Sequence, residues 1–331
     1  MDRRESIILY VKFHYTLFPV RYLIFFSSLF ITIDSVGQAR WINADTAFQP
    51  LPANFHVYKT TDSLDGKPFI AYYAEAKLKD KHLNFTTDTT SGRRLTPLKF
   101  YEKNDQPLLV VNCTFFSFET NRNLNVVIKE GKMVAYNIHT LPMRGKDTFQ
   151  YRHSLGSALG IDKKRNADVA WLYTDSLFIR PFVFQEPVGF IKDSSLKISA
   201  GQFNAKKKWK MRTAVGGGPV LLQNGEIKIT NNEELKFAGK AIDDQHPRTC
   251  MGYTTDGRLI VMVIEGRHPG IAEGATLKQE ARLLKDIGCI EALNLDGGGS
   301  SCMLINGKET ITPSEKGIER PVPGVFIIAK K

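Results

Sequence analysis

The sequence predicts an α+β fold of β-rich mixed sheets, with antiparallel hairpins and one βαβ unit over residues 258–296. Two observations predict it. Turn dipeptides flanked by apolar or alternating runs recur along the chain, and one stretch has helical spacing with both ends marked. Composition agrees, because 24% charged residues, 26 Gly and four Cys resemble average globular usage. These values exclude a disordered chain, a collagen-like repeat and a small disulfide-stapled protein.

Five two-residue turn signals predict the hairpins. Asn-Gly and Asp-Gly suit the type I′ turn because both of its central residues need a positive φ. The signals are Asp65-Gly66, Glu130-Gly131, Asn224-Gly225, Asp256-Gly257 and Asn306-Gly307. We therefore expect most of the sheet to be an antiparallel meander.

One helix is predicted over residues 277–287. Thr276 precedes it and Gln279 follows three residues later, which is the capping-box pattern. Apolar residues recur at near-helical spacing, and Gly288 stands just past the end, where a left-handed residue commonly terminates a helix. Apolar runs on both sides, at 259–264 and 290–295, predict two parallel strands joined by this helix.

Polar residues follow both predicted strands. Ligands collect outside the carboxyl ends of parallel strands. The first strand leads into Glu265 and Arg267, and the second into Asp296 and three glycines at 297–299. Parallel neighbours lie about 4.8 Å apart, or about twice that with one strand between them, so the two carboxylates could have the separation used by two-carboxylate glycosidases.

Two glycine triplets need an explanation, since each glycine costs backbone entropy. Successive exposed N–H groups at 297–299 would form an anion-binding nest beside Asp296. The second triplet, at 216–218, precedes Pro219. It is either another wall of the same cleft or a tight strand bend.

The sequence resembles the phosphodiester glycosidase family over about residues 110–328, most densely over 248–301. The stretches that carry the resemblance are PRTCMGYTTDGRLIVMVIEGR, ALNLDGGGSSCML, AVGGGPVLL and ERPVPGVFII. The resemblance implies a site containing Asn112, Gly216, Gly217, Gly218, Arg248, Thr249, Gly266, Arg267, Asn294, Asp296, Gly297, Gly298, Gly299, Ser300 and Arg320.

The chain departs from the family pattern at two places. The family usually has N-G-G-F-F where this chain has N-C-T-F-F from Asn112 to Phe116, and Asp-Gly-Arg where this chain has Glu265-Gly266-Arg267. The first change places Cys and Thr where the family has two glycines, which leave room for a ligand or a turn. The second change lengthens the side chain that carries the carboxylate. Both changes leave the identity of the substrate open.

The resemblance implies a hydrolase that cleaves the sugar C1–O bond of a glycosyl phosphodiester. The departing phosphate monoester is acidic, so the reaction needs little general acid and strong stabilisation of negative charge. Arg248 and Arg267 would hold the phosphate with the N–H groups of residues 297–299. Asp296 would act as base or nucleophile, with Glu265 as its partner or orienting the sugar.

Two alternatives remain open from the sequence. One is a phosphodiesterase that breaks the P–O bond with the same arginines. The other is a non-catalytic polysaccharide-binding envelope protein, which the altered N-C-T-F-F segment favours.

No cofactor or metal site is predicted. The chain contains neither C-x-x-C nor H-E-x-x-H, and its seven His are scattered. The four cysteines have no framework spacing and are interpreted as buried free thiols.

The N-terminus predicts export. A basic segment at 1–21 precedes an uncharged run of 12 residues at 22–33, and Gly37 and Ala39 are small residues suited to cleavage after Ala39. The run is short of the roughly 20 residues that span a bilayer, although an uncleaved anchor is the alternative. We therefore expect a signal at 1–39, a single domain at 40–331, a secreted or periplasmic location, and no stable membrane span after cleavage.

The formal net charge of +11 favours an anionic partner. No basic stripe with interleaved aromatic residues appears, so nucleic acid is not expected. The expected partner is a phosphate-bearing glycan or sugar phosphodiester.

Overall fold

The computed structural model describes residues 38–142, 151–188 and 207–331. Most of the predicted signal segment lies outside the described residues. In the part that is described, no helix combines the length and hydropathy needed to span a bilayer.

Strands dominate the described chain. In chain order they are β1 (Ile42–Asn43), β2 (Phe55–Thr60), β3 (Ser63–Leu64), β4 (Lys67–Pro68), β5 (Ala71–Lys77), β6 (Leu83–Thr89), β7 (Leu109–Asn112), β8 (Val127–Lys129), β9 (Lys132–Ala135), β10 (Thr140–Pro142), β11 (Tyr151–His153), β12 (Gly156–Asp162), β13 (Ala167–Tyr173), β14 (Phe182–Phe184), β15 (Met211–Gly216), β16 (Val220–Gln223), β17 (Glu226–Ile227), β18 (Arg248–Thr254), β19 (Arg258–Ile264), β20 (Cys289–Asn294), β21 (Met303–Ile305), β22 (Lys308–Glu309) and β23 (Gly324–Lys330). The helices are α1 (Pro97–Lys103), α2 (Asn231–Glu234) and α3 (Leu277–Ile287), with short 3₁₀ turns at Asp45–Phe48, Gly239–Ile242 and Gly298–Ser300.

Three larger sheets organise these strands. The eight-stranded sheet has the order β1-β2-β5-β19-β18-β20-β16-β17, the six-stranded sheet β14-β13-β12-β15-β8-β9, and the five-stranded sheet β22-β21-β7-β23-β6. Two further pairs, β3-β4 and β10-β11, complete the described sheets. Neighbouring strands pair antiparallel throughout the eight-stranded sheet. The predicted β-rich α+β class is confirmed.

The predicted βαβ unit is also present. β19 and β20 each pair antiparallel with β18, which lies between them, so they run parallel to one another. Helix α3 connects them. Thr276 and Gln279 form the capping box, and Gly288 ends the helix with a φ of 98°. The sequence located this helix correctly because both of its end signals are local.

The five turn signals all join paired strands. In four of them both turn residues have positive φ, as type I′ requires: Asp65-Gly66, Glu130-Gly131, Asn224-Gly225 and Asn306-Gly307. The prediction of this geometry for Asp256-Gly257 is wrong. β18 ends at Thr254 and β19 starts at Arg258, so the loop has three residues, and Gly257 is the one with positive φ.

β19 is buried on both faces, which explains its unbroken apolar sequence. Leu259, Val261 and Val263 contribute to the central core shared by the three large sheets. The alternate residues pack in a second core with α3, whose members include Ile260, Met262, Ile264, Leu277, Ala281 and Leu284. Packing on both sides fixes the carboxyl end of this strand, where the predicted site begins.

The capping box gives the first testable prediction. Thr276→Ala removes the hydroxyl that accepts from the backbone N–H of Gln279 at 3.1 Å. We expect the free energy of unfolding to fall by about 1 kcal/mol, measured by denaturant titration. Thr276→Ser keeps the hydroxyl and should lose far less. Equal losses in the two variants would show that the cap hydroxyl does not support α3.

Candidate active site

A cleft opens beyond the carboxyl end of β20, with a cavity volume of about 340 Å³. Its lining contains three aromatic rings, three arginines, one histidine, one carboxyl group and the glycine triplet at 297–299. These residues are Phe115, Phe118, Phe237, Ala241, His246, Arg248, Arg267, Asp296, Gly297, Gly298, Gly299 and Arg320. The structure thus brings together seven of the residues predicted for the site: the three arginines, Asp296 and the three glycines.

Asp296 is held by its backbone on both sides. Its N–H donates to the carbonyl of Cys113 at 2.9 Å, and its carbonyl accepts from Asn112 Nδ2 at 2.6 Å. Burial raises the pKa of its carboxyl group to about 7, although the Ser300 hydroxyl and the charge of Arg320 act in the opposite direction. The carboxyl group therefore changes charge near neutral pH.

Asn112 and Thr249 lie beneath the cleft and are fully buried. Asn112 Oδ1 accepts from Thr249 Oγ1 at 2.9 Å and from the N–H of Cys302 at 3.1 Å. The hydroxyl oxygens of Thr249 and Ser301 are 3.2 Å apart. Asn112 and Thr249 were predicted to bind substrate, but their side-chain polar atoms form hydrogen bonds within the protein. They position the loop that carries Asp296.

The glycines after Asp296 leave room for arginines. A Cβ at Gly298, whose φ is 61°, would lie 3.0 Å from Arg267 Nη2, and a Cβ at Gly299 would overlap the guanidinium of Arg320. The predicted nest is only partly available, because the N–H of Gly298 donates to the carbonyl of Pro247 at 2.8 Å. Close approach of two guanidinium groups is therefore the main reason for this triplet.

Arg248 is fixed by backbone carbonyls. Its Nε donates to Ala275 at 2.8 Å and its Nη2 to Asp244 at 3.1 Å. Burial lowers the pKa of this guanidinium, and its carbon atom lies 6.0 Å from the centre of the Phe237 ring. Arg248 presents an oriented positive charge to the cleft.

Arg320 contacts Ser300, which was also predicted to bind substrate. Its Nη1 lies 3.4 Å from Ser300 Oγ, and its Nη2 pairs with Glu315. Ser300 is buried and its side chain hydrogen-bonds with the Asp296 carboxyl group, so it connects that group to this arginine. Among the described residues that line the cleft, three guanidinium groups face one carboxyl group.

Glu265 does not line the cleft. It is 5% exposed, Oε1 lies 2.9 Å from His268 Nδ1, and Oε2 accepts from the N–H of Thr312 at 2.9 Å. The position after β19 was predicted correctly, but this side chain is occupied with neighbouring loops. The structure does not bring it into partnership with Asp296.

The glycine triplet at 216–218 packs against neighbouring backbone and does not line the cleft. All three N–H groups donate within the protein: Gly216 to Val126 at 2.7 Å, Gly217 to Ser157 at 3.0 Å and Gly218 to Asn294 at 2.8 Å. Asn294 returns a side-chain hydrogen bond to the carbonyl of Gly218 at 2.8 Å. The strand-bend alternative is therefore favoured, and Asn294, predicted to bind substrate, holds this bend.

Sequence reasoning missed the aromatic side of the cleft. Phe115, Phe118 and Phe237 line it together with His246. His246 Nδ1 is buried and has no hydrogen-bond partner among the described residues. Burial and the neighbouring arginines lower the pKa of His246. His246 flanks the predicted site in the sequence, two residues before Arg248, and is a candidate proton shuttle on that ground, whereas nothing in the sequence linked Phe237 to the site.

The cleft suits an anion better than a cation. In the described part of the chain, Cys302, Glu309 and Glu319 are the group whose potential metal ligands approach within 4.8 Å of one another, and none of the three lines the cleft. The four cysteines are buried free thiols, as expected.

Comparison with known proteins identifies the family. The phosphodiester glycosidase family model matches residues 105–329. This chain therefore belongs to the phosphodiester glycosidase family.

Two curated relatives match shorter segments. N-acetylglucosamine-1-phosphodiester alpha-N-acetylglucosaminidase of mouse is 28% identical over 103 residues, covering 29% of this chain and 20% of the mouse protein. The SPbeta prophage-derived uncharacterized protein YomE of Bacillus subtilis (strain 168) is 38% identical over 85 residues, covering 26% of this chain and 13% of YomE. The matched segments thus span a fifth or less of these relatives.

Solved structures share the fold. The catalytic domain of zebrafish N-acetylglucosamine-1-phosphodiester alpha-N-acetylglucosaminidase, auto-inhibited by its pro-peptide, has a TM-score of 0.53 and 20% identity over 89% of each chain. A hypothetical protein from Synechocystis has a TM-score of 0.56 and 15% identity, over 84% of this chain and 62% of that one.

The raised pKa of Asp296 predicts a stability effect with a definite sign. The unfolded carboxyl group ionises near its ordinary value of 3.8 and the folded one near 7, so ionisation destabilises the folded state progressively between these values. Asp296→Asn should raise the free energy of unfolding on the order of 2 to 4 kcal/mol at pH 8, and less at pH 5.

Denaturant titrations at the two pH values measure this difference. Asp105→Asn, on the exposed surface, controls for the loss of one carboxylate. A gain of equal size at pH 5 and pH 8 would contradict the raised pKa.

Proposed function

We propose that this protein is an exported hydrolase that cleaves the sugar C1–O bond of a glycosyl phosphodiester. The observation that carries the proposal is the cluster of three guanidinium groups around a single carboxyl group in one cleft. Export rests on the sequence of residues 1–39.

The arginines suit a phosphate diester and the monoester that departs. Arg248 is held rigidly by two backbone carbonyls, and Arg267 and Arg320 approach the loop at Gly298 and Gly299. Guanidinium groups bind phosphate oxygens through paired, charge-assisted hydrogen bonds. In a cleft partly shielded from water, these charges stabilise the negative charge that develops on the leaving phosphate.

Asp296 supplies the base or the nucleophile. Among the described residues lining the cleft, it is the one carboxyl group. Two-carboxylate glycosidases need a second group to protonate the leaving oxygen, whereas a phosphate monoester departs with little protonation. A pKa of about 7 allows the carboxylate to form near neutral pH and still accept a proton.

The altered N-C-T-F-F segment does not obstruct this chemistry. Cys113 lies in the central core. Thr114 is buried, and its hydroxyl donates to Asn123 Oδ1. Phe115 is the residue of this segment that lines the cleft. The bulkier Cys113 and Thr114 therefore do not line the cleft, which weakens the argument for a non-catalytic binding protein.

Substitution of the carboxyl group tests the proposed role. Asp296→Asn should lower kcat for a glycosyl phosphodiester by a factor of about 10² to 10⁴, because the amide cannot accept the proton. Steady-state kinetics on residues 40–331 measures it, with Asp105→Asn as the control. Full hydrolysis by a folded Asp296→Asn variant would contradict the assigned role.

Hydrolysis in ¹⁸O-labelled water separates the proposal from the phosphodiesterase alternative, which uses the same arginines. Cleavage of the C1–O bond places the label in the sugar. Label in the phosphate would show P–O cleavage instead.

The pH dependence supplies an independent test. A base or nucleophile acts as the carboxylate, so kcat/KM should rise with pH and level off above an apparent pKa of about 7. The profile is measured between pH 5 and 9 with the wild-type protein. A rate that falls through this range would identify Asp296 as a general acid.

A further inference from the structure

We infer that the rim of the cleft binds a second phosphate group of the substrate through Arg94, with a sugar ring stacked on Phe118. The favoured substrate class is then a glycosyl phosphodiester whose aglycone is a phosphorylated sugar. A repeating sugar-phosphate polymer has this chemistry. The inference rests on the proposed function, since it places the second phosphate relative to the one at Asp296.

Phe118 forms the platform. It lines the cleft and is 63% exposed. Its ring centre lies 4.8 Å from that of Phe116, which supports it from behind with only 8% exposure. Two guanidinium groups lie over the ring, but its 63% exposure leaves apolar surface open to solvent between them. The C–H face of a sugar ring would cover that surface and remove it from water.

Two guanidinium groups flank this ring. The guanidinium carbon of Arg94 lies 5.3 Å from the ring centre of Phe118, and that of Arg320 lies 5.4 Å from it. Arg94 is also 5.4 Å from the ring centre of Phe116. Arg320 therefore faces both the Asp296 loop and the platform, and Arg94 extends the positive charge outward along the rim.

Arg94 has no counter-charge in the described part of the chain. No carboxylate oxygen there lies within 4.0 Å of its guanidinium, and no hydrogen bond to a described residue uses its donors. Arg320 pairs with Glu315. Burial lowers the pKa of Arg320, and repulsion from Arg267 and Arg94 acts in the same direction, against the attraction of Asp296. A bound anion would relieve the repulsion and use the free donors.

The backbone places Arg94 at the rim. Leu95 and Val322 form an antiparallel bridge in which each N–H donates to the other carbonyl, at 3.0 Å and 2.8 Å. This bridge joins the segment that carries Arg94 to the one that carries Arg320. The two charges are thus built into one edge of the cleft.

The experiment compares two substrates that differ in one group. One is a glycosyl phosphodiester with a neutral sugar as aglycone, and the other carries an additional phosphate monoester on that sugar. The wild-type protein should prefer the second in kcat/KM, mainly through KM. Arg94→Gln should lower this preference about tenfold. Arg93→Gln, an exposed neighbour with the same change of charge, should retain it.

Equilibrium binding separates the failure of this inference from the failure of the proposed function. Non-hydrolysable phosphonate analogues of the two substrates are titrated into the wild-type protein and both variants by calorimetry. A tenfold loss of preference confined to Arg94→Gln supports the second phosphate site even if no substrate is hydrolysed. An equal effect of both variants, or no preference in the wild-type protein, would overturn it.

Discussion

The geometry of the cleft depends on the hydrogen bonds of the buried Asn112 side chain. Asn112 ends β7 of the five-stranded sheet, and Asp296 follows β20 of the eight-stranded sheet. The Asn112 amide donates to the carbonyl of Asp296 and accepts from Thr249 and Cys302. Asn112, Thr249 and Cys302 are buried, and an unpaired polar atom in such surroundings is costly. The network therefore fixes two sheets and the carboxyl-bearing loop in one arrangement.

Local sequence signals predicted the helix and most of the turns of the fold. The helix at 277–287 was located because its capping box and terminal glycine act within a few residues, and four turns took type I′ geometry because their own residues favour positive φ. The turn at Asp256 was assigned the wrong type because loop length depends on where β18 and β19 stop pairing. That boundary is a property of the sheet and not of the dipeptide.

The candidate site was predicted less completely because its members are brought together by distant contacts. A polar residue at a strand end was predicted to face substrate, yet Asn112 and Glu265 are turned toward neighbouring backbone. The glycines at 216–218 look like a ligand loop in sequence, but they are required by contacts with residues such as Val126 and Asn294. Phe118 and Phe237 carried no motif, and only the folded chain places them beside Asp296.

The charged groups of the cleft affect both the stability of the protein and its proposed function. Burial opposes ionisation of Asp296, and Arg248 and Arg320 are partly desolvated, so the cleft is less stable than a neutral core would be. An anion that enters the cleft supplies the missing negative charge and makes hydrogen bonds to groups already held in place. Little reorganisation is then needed when charge develops on the leaving phosphate. The formal +11 matters mainly through these few positioned arginines, because the remaining surface charges act over distances that salt screens.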